Sequence, residues 1–343
     1  MPQRRQRQGR RPRLVRTAVG SGCSSIGARW GCAMLAAFMG NRSTAAWFLN
    51  LAVIGQQGAF LRVDHTAMSL GLVNSIVEQI GVTFEHLAPY LVFAGVVFPI
   101  LTTRYACNNT GPWWRSRELV TDLCYWFVVP VFTRFLRIGL LVLGAALVFG
   151  ITEEQQLIAF FDRGHGPWAA LPFWAQVGIY LIFSDVLLYW SHRLFHNAPL
   201  WKYHAVHHSS EVVEWTSAAR FHPVNLSLGT VLVDVVLLLS GIPPLVLSVM
   251  VPFNVFMSVF VHANLNWSLG PFKYVLASPV FHRWHHTGPD QGGNKNFAST
   301  FSFIDLLFGT FYMPAKELPS HYGVDMPHFP QSFGGQILHP FKG

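Results

Sequence analysis

Asp185-Val186-Leu187-Leu188-Tyr189-Trp190-Ser191-His192-Arg193-Leu194-Phe195-His196 closes an apolar run that begins near residue 172. Residues four apart share a helical face, so the run reads as a spanning helix that ends with His192 and His196 side by side. Two further clusters follow, His204-Ala205-Val206-His207-His208 and His282-Arg283-Trp284-His285-His286. Both read H-x-x-H-H, which brings the first and third His onto one face with the second beside them. With His222 and His262 these make ten of the chain's 16 His, all between His192 and His286. So many imidazoles pack together favourably only if they stay neutral and share something electron-poor, which means a metal. One ion takes about four to six ligands, so His192, His196, His204, His207, His208, His222, His262, His282, His285 and His286 imply two ions. Imidazole suits Fe, Zn, Cu and Ni alike. The other six, His65, His86, His165, His321, His328 and His339, read as ordinary hydrogen-bonded side chains.

Composition places this cluster in a membrane. The 343 residues are 51% hydrophobic and 15% aromatic but only 12% charged, about half of the ~25% charged residues of a soluble domain. A disordered chain, a coiled coil and an ordinary cytosolic enzyme are excluded. The net charge of +8 comes largely from nine of the 24 Lys and Arg, which lie between Arg4 and Arg42, so no nucleic acid is expected as a partner. Four Cys without CxxC spacing exclude a thiolate zinc knuckle, a disulfide framework and an iron–sulfur site.

The expected fold is all-α, a polytopic membrane helical bundle with a cytoplasmic histidine-rich di-metal cap. Residues 1–43 read as a disordered Arg-rich arm, with Met34 or Met39 expected as the true start. Residues 44–170 read as an N-terminal transmembrane region, 171–313 as the catalytic domain and 314–343 as a tail. Spanning helices are expected near 44–61, 86–102, 136–152, 172–191, 224–241 and 243–262. Gly241-Ile242-Pro243-Pro244 makes the last two a hairpin. The acidic stretches 62–85 and 153–171 are expected as outer loops, and the Arg-bearing 103–135 as cytoplasmic, which puts all ten clustered His on the cytoplasmic side.

The three clusters and their surroundings resemble the fatty acid hydroxylase/sterol desaturase superfamily of membrane di-iron oxidoreductases. The likeness runs through Asp185-x-x-x-Tyr189-Trp190-x-His192-Arg193-x-x-His196, Trp201-x-x-His204-x-x-His207-His208-Ser209, Arg220-x-His222-Pro223 and His262-x-Asn264. It closes with Asn296-Phe297-Ala298 and Asp305-Leu306-Leu307-Phe308-Gly309-Thr310, where Ile304 stands in place of the family's Trp. The His-His-Ser-Ser-Glu run and the tail from Tyr322-Gly323 to Pro340-Phe341 look most like bacterial sterol desaturase family proteins.

The resemblance implies two Fe ions, O2 as co-substrate and hydroxylation or desaturation of an unactivated C–H bond of a lipid, in a bacterial inner membrane. Reduction of O2 by four electrons takes two from the C–H substrate and two from elsewhere. A separate ferredoxin- or cytochrome-type donor with its reductase is therefore implied, and Arg193, Lys202, Lys273, Arg283 and Lys295 offer it a basic landing area. Asp185 is expected to accept a ligand N–H, and Asn264, Asn296 and Asp305 to support the site in the same way. The competing classes are a di-zinc hydrolase, a metal transporter and a bis-His haem protein. Doublets of His near helix ends speak against haem, and few charged residues in the spans speak against transport.

Overall fold

The computed structural model describes residues 65–162 and 164–342; the Arg-rich arm and the expected span at 44–61 lie outside them. Among the described residues the regular elements are helices, with one isolated antiparallel bridge joining Ala106 and Leu265. The first helix, α1 (His65–Tyr105), includes the apolar stretch Leu87–Tyr105. The outer loop expected over 62–85 is corrected accordingly from residue 65 onward. Glu78 and Glu85 are good helix formers and nothing between them and the apolar stretch stops the helix.

Helix α2 (Leu119–Phe149) starts well before the expected position 136. Its early charges do not end it because partners inside the protein neutralise them. Asp122 pairs with Arg220, and Arg137 with Asp234 at 2.9 Å. Gly150, at φ 67°, caps the far end with its N–H on Ala145 and Ala146 carbonyls, a left-handed conformation that glycine adopts without steric cost. The expected outer loop 153–171 is also partly helical, containing α3 (Glu154–Asp162).

Helix α4 (Phe173–Phe195) carries the opening motif and leads through a short turn into α5 (Ala198–His208), which bears the second His cluster. The segment expected to span at 224–241 is instead a shorter apolar helix, α6 (Pro223–Leu239). A π-helical turn at Ser227–Val231 breaks it, and Gly229 there leaves helical geometry at φ −96° and ψ −105°. Gly241 then turns the chain at φ 110°, where a Cβ would come 2.0 Å from the His165 carbonyl oxygen. Helix α7 (Pro244–His262) follows and ends on a histidine. Both arms of this hairpin lean on α4.

Among the described residues, four helical stretches are long and apolar enough to cross a membrane: Leu87–Tyr105 of α1, and the whole of α2, α4 and α7. Leu143, Leu147, Trp174 and Val251 stand exposed on them, as side chains facing lipid do. Inward, Leu141, Tyr180, Val231, Leu238 and Val246 knit α2, α4, α6 and α7 into one core. Lipid tails are as apolar as these side chains, so close packing rather than water exclusion holds this layer. Three short helices complete the cap: α8 (Pro279–His285), α9 (Phe303–Leu307) and α10 (Phe333–Leu338).

Candidate metal centre

The ends of α4 and α7, together with α5 and α8, point their histidines at one another. His192, His196, His204, His208 and His285 form one group and His207, His262, His282 and His286 a second. Within each group the candidate ligand atoms lie within 4.8 Å of one another. The groups adjoin, with His208 and His286 ring centres 4.6 Å apart. The i, i+3 and i+4 spacing on α5 creates this division. His204 and His208 serve the first group and His207 the second, so one short helix feeds both.

Which nitrogen faces inward is set by what the other one bonds. Nδ1 of His192 lies 2.7 Å from the Phe297 carbonyl oxygen, and Nδ1 of His285 2.7 Å from that of Lys295. Likewise His262 Nδ1 lies 2.7 Å from the Ser258 carbonyl, and His207 Nδ1 3.2 Å from that of Arg220. A carbonyl oxygen only accepts, so these four Nδ1 atoms carry the proton and their Nε2 atoms present bare lone pairs. Yet His262 Nε2 stands 3.4 Å from His207 Nε2, and His192 Nε2 3.0 Å from His204 Nε2. The His207–His262 contact joins two such lone pairs, which repel unless a cation lies between them. In the first group, Nε2 of His196 and of His285 is buried with no hydrogen-bond partner. The donor set therefore fits two metal ions bound through Nε2, with Nδ1 anchored in the protein at His192, His196, His204, His207, His262 and His285, while Nδ1 of His282 and of His286 is buried without a hydrogen-bond partner.

Burial keeps the rings outside the spanning helices neutral. It lowers the pKa of His204, His207, His208, His282, His285 and His286 well below the ordinary imidazole range, and neighbouring imidazoles add to the effect. His196 falls to about 3 for the same two reasons.

The tenth expected ligand, His222, is corrected: it stands outside both groups. Its Nδ1 accepts the Val224 N–H at 3.1 Å, capping α6, and its Nε2 donates to the Ile337 carbonyl at 3.1 Å. Both ring nitrogens are spent on structure, so the ring has none left for a metal.

The expected supporting residues act on backbone. Asp185 accepts the N–H groups of Ser299, Thr300 and Phe301 at 3.0, 3.1 and 2.6 Å, and its expected bond to an imidazole is replaced by this nest of amides. Asp305 accepts the Phe297 and Ala298 N–H groups at 2.8 Å each and the Thr310 hydroxyl at 2.6 Å. Asn296 bridges to the Phe281 and Tyr312 carbonyls at 2.8 and 2.7 Å, and Asn264 ties the end of α7 to Asn108 and Thr110. Among the described residues, non-histidine side-chain hydrogen bonds to the converging rings come from two residues that motif reading passes over. Asn225 Oδ1 lies 2.6 Å from His204 Nδ1, and Asn294 Oδ1 3.2 Å from His196 Nδ1. Asn225 follows the Arg220-x-His222-Pro223 motif closely, which is the one signal the sequence offers for it.

Arg283 is fully buried, which removes it from the expected landing area for an electron carrier. Its guanidinium donates to the Val213 carbonyl at 2.6 Å and to Asn108, and lies 4.8 Å from the Tyr322 ring centre. It holds the third cluster from behind. A cavity of about 200 Å³ opens beside the histidines between α4, α6 and α7, with His192, His207, His262 and His282 in its wall.

Candidate spanning helices topped by two converging histidine groups mark a multi-pass membrane protein with a candidate di-metal site. Comparison with known proteins makes the class specific. Residues 177–310 match the fatty acid hydroxylase family model. Among curated relatives, an ornithine lipid hydroxylase of Rhizobium tropici is 30% identical over 49% of this chain and 50% of its own length. An alkylglycerol monooxygenase of Danio rerio is 33% identical over 48% of this chain and 37% of the relative. A methylsterol monooxygenase of Arabidopsis thaliana is 30% identical over 41% and 55%. The chain spans about half the length of these relatives, or less. No solved structure gives a significant match.

Proposed function

We propose that the chain is an O2-dependent di-iron oxidoreductase that hydroxylates or desaturates an unactivated C–H bond of a membrane lipid. The observation that carries this is the double convergence of nine imidazoles at the end of a cavity set among membrane helices. Iron in these positions supplies the redox chemistry of O2 reduction, which zinc lacks. The chain's own residues supply the rest. Phe297, Arg220, Ser258 and Lys295 carbonyls hold the Nδ1 protons in place, Asn225 and Asn294 steady two further rings, and α4, α6 and α7 bring a lipid segment up to the Nε2 atoms. Hydroxylase and monooxygenase relatives favour oxygen insertion over desaturation as the outcome. The histidines are read as facing the cytoplasm of a bacterial inner membrane, where a ferredoxin- or cytochrome-type donor and its reductase deliver the two external electrons.

The test compares lipid extracts of strains expressing the wild-type chain and His207→Ala under 18O2. A lipid that gains one labelled oxygen, or two hydrogens fewer, only with the wild-type chain supports the reading. Identical extracts from an iron-replete wild-type strain speak against it. A hydrolysed lipid retained under anaerobic conditions would favour a di-zinc hydrolase instead.

A further inference from the structure

We propose that Arg283 makes the two metal positions unequal. Its buried charge, set behind His282 and His262, holds the ion of the four-histidine group more weakly than that of the five-histidine group. The proposal rests on the two-ion reading of the site above, not on the identity of the lipid.

Two arginines of the cap, Arg220 and Arg283, are 0% exposed. Arg220 is neutralised by Glu118 and Asp122. Among the described residues no carboxylate pairs with Arg283. Its guanidinium donates instead to neutral acceptors: the Val213 carbonyl at 2.6 Å, the His262 carbonyl at 3.4 Å and the Asn108 side-chain oxygen. Its Nε is buried without a partner. An unpaired buried cation is costly, and acceptors of this kind need a donor but no charge. The surplus field therefore falls on the neighbouring histidines. His282 is the preceding residue and His262 is held by its carbonyl, and both belong to the four-histidine group.

The five-histidine group has surroundings of the opposite sign. Asp305 accepts the N–H of Phe297, whose carbonyl anchors His192, and Asp185 accepts three further amides of the same segment. Both oxygens of each side chain accept hydrogen bonds, as a carboxylate's do. Arg193, beside His192, is partly exposed, so water screens it. A cation thus stands behind one metal position and carboxylates behind the other. In a low-dielectric interior a nearby positive charge weakens cation binding and makes the bound ion easier to reduce. The four-histidine position is therefore the looser of the two and takes the first electron. Glu214 tempers this field. Buried next to Val213, it accepts the Thr110 hydroxyl at 3.2 Å, in a network that runs through Asn264 and Asn108 to the guanidinium.

The test titrates the metal-free full chain in detergent with Zn2+ against a chromophoric chelator. Two binding steps are expected, of which His286→Ala removes the weaker and His285→Ala the tighter. Arg283→Gln is expected to tighten the weaker step about tenfold and to move the tighter step by less than about threefold. Arg283→Lys keeps the charge and is expected to stay within about threefold of wild type at both steps. Glu214→Gln still offers Thr110 an acceptor but loses a negative charge, so the weaker step is expected to weaken about three- to tenfold. In redox titration of the iron-loaded chain, the higher midpoint potential is expected to fall in Arg283→Gln and to hold in Arg283→Lys. A role confined to propping up the fold predicts the opposite sign for Arg283→Gln. Weaker or unchanged zinc binding in that variant, unchanged or tighter binding in Glu214→Gln, or a single step in the wild-type chain overturns the proposal. If Arg283→Gln fails to fold, Glu214→Gln decides alone. Zinc binding needs no turnover, so the lack of an oxidised lipid would sink the oxygenase reading and leave this result standing.

Discussion

The main-chain oxygen of Phe297 accepts the Nδ1 proton of His192 at 2.7 Å, while the Phe297 N–H donates to Asp305 Oδ1 at 2.8 Å. A single peptide segment thus passes the fixed position of a buried carboxylate on to a metal-facing ring. Asp305→Ala removes the acceptor for two successive amides, Phe297 and Ala298, and frees the segment. Iron affinity is expected to fall about 10- to 100-fold, the range found when groups behind metal ligands are lost. Metal titration of the purified chain checks this, with Ile304→Val, a neighbouring core change, as the control that keeps its iron.

His222→Ala separates structure from ligation. The change removes the cap on Val224 and the bond to Ile337. Thermal unfolding is expected to report a loss of about 1–2 kcal/mol. Iron per chain should stay at the wild-type level, whereas alanine at any of the nine converging histidines should lower both iron content and turnover, turnover by at least about 100-fold.

Breaking the Asp122–Arg220 pair should be far more damaging. The side chains are 2% and 0% exposed, and Glu118 provides Arg220 with a second carboxylate at 2.8 Å. Asp122→Ala leaves a guanidinium in the interior with only that partner. A destabilisation of about 3 kcal/mol is expected, at the lower end for a broken buried pair because Glu118 remains. Asp122→Glu, tested by the same unfolding assay, should recover part of it.

Acid should unfold the metal-free chain early. The histidine pKa values are lowered by folding, so the unfolded chain binds more protons than the folded one once the pH drops below the ordinary value of 6.5. Stability is therefore fully present above about pH 6.5 and is lost progressively as the pH falls toward the folded values, about 3 for His196. Unfolding midpoints measured from pH 8 to about 4 should decline only below this upper bound. A flat profile across the range would contradict neutral, buried rings.

Electron delivery is expected to depend on surface cations that the fold leaves accessible. Lys273 and Lys295 are partly exposed, unlike Arg283. Charge reversal at either lysine should slow reduction by an acidic protein donor, and the effect should shrink as salt screens it. Stopped-flow reduction at two ionic strengths checks this; salt-independent rates would place the donor elsewhere.

The chain's local patterns determined its class. Composition showed a membrane protein, helical spacing of histidines within Leu188–His208 and Ser278–His286 pointed to candidate metal ligands, and the order of motifs resembled the family whose model matches residues 177–310. Spacing along one helix is a local property, so it survives without knowledge of the fold. Tertiary structure alone decided the partition of nine histidines into five and four, because it depends on how α4, α5, α7 and α8 face one another. It also removed His222, whose motif looks like a ligand's but whose two nitrogens meet backbone from distant segments. Likewise the carbonyls of Phe297 and Lys295 left no trace in sequence, since every residue has a carbonyl and only the chain's path aims one at a ring. The early start of α2 was hidden for a related reason. Asp122 looks like a helix-ending charge until Arg220, far along the chain, is brought beside it and neutralises it.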